Sequence, residues 1–127
     1  MIDDAVPEEY VVWAVLVEEE TCRGYEDHRW ELTQRHLVEE GGRAAADALA
    51  RQLAMEHIPA EARPLRGATP GRRVFRVADG SWLVEVRAPQ KVLCRITTAE
   101  QVHVQPYEAP PKEEAPPARG KGLFGRR

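Results

Sequence analysis

Residues 73–86 read RVFRVADGSWLVEV. Asp79-Gly80 sits between two alternating apolar runs, and two-residue hairpin loops favour positive φ at both central positions, which Asp and above all Gly tolerate. Pairing Ala78 with Ser81 sets Val77 against Trp82 and Phe75 against Val84 on one side of the ribbon. The other side then carries Val74, Arg76, Leu83 and Glu85, with Arg76 and Glu85 as diagonal neighbours. This register predicts an antiparallel hairpin with its aromatic residues together on the buried side.

Downstream of the hairpin, Pro89 ends the second strand. Val92, Cys94 and Ile96 alternate through a further strand, which Val102 and Val104 extend after a kink near Ala99-Glu100. Upstream, Arg43 to His57 is rich in Ala, Leu, Arg, Gln and Met, which lose little rotamer freedom in a helix. Ala46, Leu49, Ala50, Leu53 and Ala54 recur at three- and four-residue spacing and form a narrow stripe of mostly small side chains. Gly41-Gly42 precedes that helix, and Pro59 prevents its continuation.

Two strands come earlier still. Tyr10 to Glu18 is β-branched, aromatic and apolar on both alternating faces, as a strand covered on both sides would be. Trp30, Leu32 and Val38 share one parity, whereas Glu31, Thr33, Arg35 and Glu39 take the other, which describes a half-exposed strand. The fold expected is α+β, an antiparallel sheet of about five strands in the order β-β-α-β-β-β with one helix packed on one face. Its core would be Trp13, Val15, Trp30, Leu32, Leu49, Leu53, Phe75, Val77, Trp82, Val84, Val86, Val92, Cys94 and Ile96. One helix covers one side of such a sheet, so the doubly apolar first strand implies cover for the other side, from a partner or a second copy.

Composition shifts once along the chain. Five of the twelve residues from Pro106 to Pro117 are proline, and no strand or helix period follows. Residues 1–107 are therefore read as one globular α+β domain, and residues 108–127 as a disordered proline-rich linker and basic tail. The charge of −3 hides an asymmetry: residues 1–40 carry a net −9, residues 41–107 a net +4 and residues 108–127 a net +2. Opposite signs in the two halves of the domain favour internal complementarity and leave less basic surface for a polyanion.

Few chemistries fit these residues. The longest apolar run, Val11 to Val17, is too short to cross a bilayer, and the acidic start lacks the basic region of a secretory signal. Two cysteines make neither a disulfide framework nor a four-thiolate zinc site, which points to the cytoplasm. Ser81 adjoins a turn that calls for a small polar residue anyway, and Cys94 has the parity of a buried hydrophobe. Cys22 is the better thiol, but Glu18, Glu19 and Glu20 would raise its pKa instead of activating it. Cys22, His28 and His36, with His57 and His103 further off, match no metal-ligand spacing, and no lysine-bearing phosphate loop follows Gly41-Gly42. The acids Glu18-Glu19-Glu20 and Glu39-Glu40 end strands, where carboxylates face solvent. No catalytic residue, metal or cofactor is expected.

Two binding readings are left. Arg63, Arg66, Arg72, Arg73 and Arg76 fall within fourteen residues beside Phe75 and Trp82, a pattern able to contact phosphates and stack on bases. The domain's net −5 and the core-facing aromatics count against nucleic acid. In the tail, Arg119, Lys121, Leu123, Phe124, Arg126 and Arg127 place an apolar pair between basic residues. The proline-rich spacer before them would reach roughly 37 Å if extended. Such a segment suits a groove on a partner or, weakly, an anionic membrane surface. The expectation is a small, non-enzymatic, cytoplasmic interaction module that binds a protein partner or itself and carries a docking tail. Nucleic-acid binding is the first alternative, and an enzyme of unknown type using Cys22 or a histidine the second.

Overall fold

The structure is a computed structural model that describes residues 11–22 and 28–112. Strand β1 spans Val12–Cys22, β2 His28–Val38, helix α1 Gly42–Glu56, β3 Gly71–Arg76, β4 Trp82–Arg87 and β5 Lys91–Gln101. The strands form one antiparallel sheet in the order β2-β1-β5-β4-β3. This is the expected α+β arrangement, with α1 on one face. The topology explains the helix's position. β2 and β3 are opposite edges of the sheet, so the chain between them must cross it. Fifteen residues of helix cover about 22 Å, close to the roughly 19 Å between the axes of the two edge strands. No helix among the described residues is long and apolar enough to cross a membrane.

The helix starts at Gly41, whose φ of +95° only glycine adopts readily. A Cβ at this position would also stand 2.5 Å from the Ala45 Cβ. Ala46, Ala50 and Ala54 are fully buried and lie four residues apart on one stripe. They seat the helix against Val15 and Val17 of β1, Ile96, Cys94 and Val92 of β5, and Trp82, Val84 and Val86 of β4. Trp13, Val38, Leu49, Leu53 and Val74 pack around that centre. Alanines let the helix axis approach the sheet closely, but each contributes little apolar area of its own.

The hairpin register differs from the expected one by a single residue. Arg76 pairs with Trp82, Phe75 with Leu83 and Val74 with Val84. Val77 N donates to Ser81 O at 2.8 Å, leaving a three-residue loop, Ala78-Asp79-Gly80. Asp79 Oδ1 accepts bonds from the Ser81 hydroxyl at 2.7 Å and the Ser81 N–H at 2.8 Å, and Gly80 takes a φ of +96°. Those two bonds, the hydroxyl's first, hold the Asp79 carboxyl below its ordinary pKa. Because the side-chain period of a strand is two, a one-residue slip turns every side chain over. Phe75 accordingly faces away from Trp82 and Val84, and Phe75 and Val77 are exposed, not core. Arg76 lies over the Trp82 ring, 4.4 Å from its centroid, and Glu85 faces Arg73 instead.

A bulge makes the second correction. Val17 pairs with Gln34 but Glu18 pairs with Leu32, so Thr33 is an extra residue on β2. The even positions of β2 therefore split between faces. Gln34, His36 and Val38 share the helix side with Val17, Val15 and Trp13, whereas Trp30 and Leu32 point to the other side and are exposed. A third difference concerns β5, which runs unbroken through Ala99-Glu100 to Gln101, opposite Val12. Val102 and Val104 follow the strand as exposed residues with no described partner strand to extend it.

Candidate functional site

Two features can bear function: a buried polar cluster under the end of α1, and the sheet face that α1 does not cover. The cluster grows from β1. Glu19 has the same parity as Val15 and Val17, so it points to the helix side and is buried. This corrects the expectation that all of Glu18-Glu19-Glu20 face solvent. Its carboxylate binds the His57 Nε2 through Oε2 and accepts the Ala60 N–H at Oε1, 3.0 Å away. From the β3 edge, the Arg72 guanidinium donates to Ala54 O at 3.1 Å and to His57 O at 2.9 Å. The last turn of a helix leaves carbonyls without intrahelical partners, and Arg72 supplies donors for them. One carboxylate and one guanidinium thus tie the end of α1 to the two sides of the sheet.

Cys94 stands opposite Glu19 in the β1–β5 register and is fully buried. Burial first, and the Glu19 charge second, push its thiol up to about 12, against a smaller opposing effect of Arg72. A cysteine, a histidine and a glutamate thus lie close together without an activated nucleophile, because the thiolate is disfavoured and buried. In a Cys22→Ser variant, Cys94 is expected to react with Ellman's reagent at pH 8 at least about 100-fold more slowly than free cysteine. Full reaction should require denaturant; fast reaction of the folded protein would refute the burial. The neutral thiol is the form the fold favours, so its contribution to stability is intact below pH 9 and declines as pH rises toward 12. Among the described residues, no group of three or more His, Cys, Asp or Glu is placed to hold a metal ion.

The uncovered face is organised in rows across the strands. One row runs Phe75, Leu83, Arg95, Glu18, Leu32 from β3 to β2. Beside it, Arg73 faces Glu85 and Glu85 faces Leu93. Leu93 N donates to Glu20 Oε1 at 3.0 Å, and Glu20 faces Trp30. On the other side of the first row, Thr97 faces Leu16 and Leu16 faces Arg35, and then come Ala99, Ala14 and Leu37. Arg95 is the hub, 4.6 Å from the Trp30 ring centroid and with its Nε 3.5 Å from Glu18 Oε1. Large apolar side chains open to solvent there include Leu32 at 56%, Phe75 at 48%, Leu37 at 46% and Trp30 at 38%. No described element packs on this face.

The arginines expected to form a nucleic-acid patch are dispersed by the fold. Arg72 is bound to the helix end, and Arg76 is stacked on Trp82. Arg63, Arg66 and Arg73 are exposed. Arg72 and Arg73 share a groove of about 450 Å³ with Gly71, Glu85 and Arg87, where Glu85 offsets part of the positive charge. The tail residues Arg119, Lys121, Leu123, Phe124, Arg126 and Arg127 lie outside the described residues. Cys22 ends β1 opposite His28, whose Nε2 is 2.9 Å from Glu20 Oε2. Comparison of the chain with protein-family models, curated proteins and solved structures gave no significant match.

Proposed function

We propose that this protein is a non-enzymatic interaction module that binds a protein partner, or a second copy of itself, through the uncovered sheet face. The observation that carries this reading is the set Trp30, Leu32, Leu37 and Phe75 left open on one face of a folded sheet. Large apolar side chains left exposed on one uncovered face mark association sites, and tryptophan and arginine, here stacked as Trp30 and Arg95, are the residues that most often anchor them. The buried cluster supports the non-enzymatic part, since Glu19, His57 and Arg72 are engaged with one another's backbone and side chains and Cys94 is held neutral. A free buried cysteine suits the reducing cytoplasm as its compartment. The tail from Arg119 to Arg127 is proposed as a second, weaker contact on the strength of its sequence alone. Leucine and phenylalanine contribute at most about 1.5–3 kcal/mol each on burial, too little to hold a partner after ordering costs.

A photo-crosslinking amino acid placed in cells at position 32 or 75, with exposed position 51 on α1 as control, tests the reading. Covalent adducts of defined mass are expected from 32 and 75 and none from 51. Equal yields at all three positions, or none anywhere, would refute the docking face. Truncation before residue 118 should weaken adduct formation severalfold without abolishing it; unchanged yields would remove the tail from the proposal.

A further inference from the structure

We infer that the partner on the uncovered face is a second copy of this chain, packed face to face about a two-fold axis that runs along β5. This inference rests on the docking-face reading and names its occupant. Five strands at about 4.8 Å spacing and about 3.3 Å per residue give the face roughly 700 Å² in projection. That approaches the about 800 Å² per partner of an ordinary stable interface.

The arrangement of residues is self-complementary. Leu32 and Phe75 stand at the two ends of one row, on opposite edge strands, with Arg95 at its middle. A two-fold axis along β5 exchanges the edges while keeping the row, so Leu32 of each copy meets Phe75 of the other, twice. Such an isologous contact requires one patch to complement itself. The two sides also differ in net charge. The β1–β2 side carries Glu18 and Glu20 with one opposite charge, Arg35; the β3–β4 side carries Arg73 and Arg87 with one opposite charge, Glu85. The rotation lays the side of net −1 over the side of net +1, with Glu20 of one copy in the same row as Glu85 of the other and Arg73 and Arg87 next to that contact. Arg95 lies at the axis, where the two copies of it come together, each beside its own Glu18 and its own Trp30 ring.

Edge-to-edge pairing is the other route by which a sheet could join its copy, and both edges are guarded against it. β2 has the bulge at Thr33 and carries Arg29, Glu31 and Arg35. β3 has six residues, three of them arginines. Short strands, bulges and charges are the devices that stop strand addition.

The experiment is sedimentation and light scattering of the full chain at tens of micromolar, with Leu32→Glu, Phe75→Lys and the double variant. The wild type is expected at twice the 14.3 kDa of one chain. Each single substitution should weaken the dimer by about 100-fold or more, and both sites are exposed, so folding should survive as judged by circular dichroism. The double variant should recover at least about tenfold of that loss, because the introduced carboxylate of one copy then meets the introduced ammonium of the other. Within one chain these positions are about 19 Å apart, too far to rescue each other. A dimer indifferent to the single substitutions, or a double variant no better than either single one, would overturn the arrangement. A monomeric wild type would overturn the second copy as occupant, and the crosslinks then divide two cases. Adducts at 32 and 75 to a different protein would leave the docking face standing, and no adducts would remove both. Should loss of residues 113–127 expose Trp30 of a monomer to acrylamide quenching, the occupant is the chain's own terminus and the inference fails.

Discussion

Glu19→Ala is expected to lower the free energy of unfolding by about 2–4 kcal/mol, the cost of leaving buried hydrogen-bonding groups without a partner. The substitution strips the largely buried His57 ring of its partner and takes the acceptor from the Ala60 N–H. Domains of this kind have only about 5–15 kcal/mol in total, so the variant should melt well below the wild type or be partly unfolded at 37 °C. Urea unfolding followed by tryptophan fluorescence measures it. Glu19→Gln is the informative companion. It keeps an acceptor for Ala60 and a hydrogen-bonding group for His57, so it should cost only about 1–2 kcal/mol. Adding His57→Ala to Glu19→Ala should cost much less than His57→Ala alone, because the pair acts as one unit. A loss below about 1 kcal/mol for Glu19→Ala would mean that the cluster does not hold the helix end.

The second large effect concerns helix seating. Ala50→Leu should destabilise by about 1–3 kcal/mol, although it adds apolar surface and keeps a good helix former. Ala50 is fully buried between α1 and the sheet, at the middle of the Ala46–Ala54 stripe. Three further carbons have no room there unless the axis moves outward, which would pull Ala54 from the core and strain the Arg72 and Glu19 ties beyond it. Arg51→Leu, one residue along and exposed, should change stability by less than about 0.5 kcal/mol. A neutral or stabilising Ala50→Leu would show that the helix does not lie as close to the sheet as its alanines allow.

The element pattern was readable because each element announces itself locally. The Ala-Leu-Arg composition from Arg43 to His57 and the Asp79-Gly80 turn need no distant partner to be recognised. The exposed face was also foreshadowed, since Tyr10 to Glu18 is apolar on both alternating sides. Glu19 could have been placed by parity, because a strand that buries Val15 and Val17 also turns position 19 inward. Its partners could not. His57 lies 38 positions away, and no local pattern links a helix end to the second residue of an edge strand, where Arg72 sits.

Local chemistry therefore determined that strands, a helix and a turn form, because propensity and side-chain period act over a few residues. Tertiary structure alone decided which way those side chains face. Loop length at Asp79 depends on two bonds to Ser81, and parity along β2 depends on one extra residue at Thr33. Each is a one-residue choice that reverses a strand's faces, and its energy is settled by the neighbouring strand. Trp30, Leu32 and Phe75 are apolar in the sequence under either choice; only pairing across the sheet sends them outward, where a binding surface is possible.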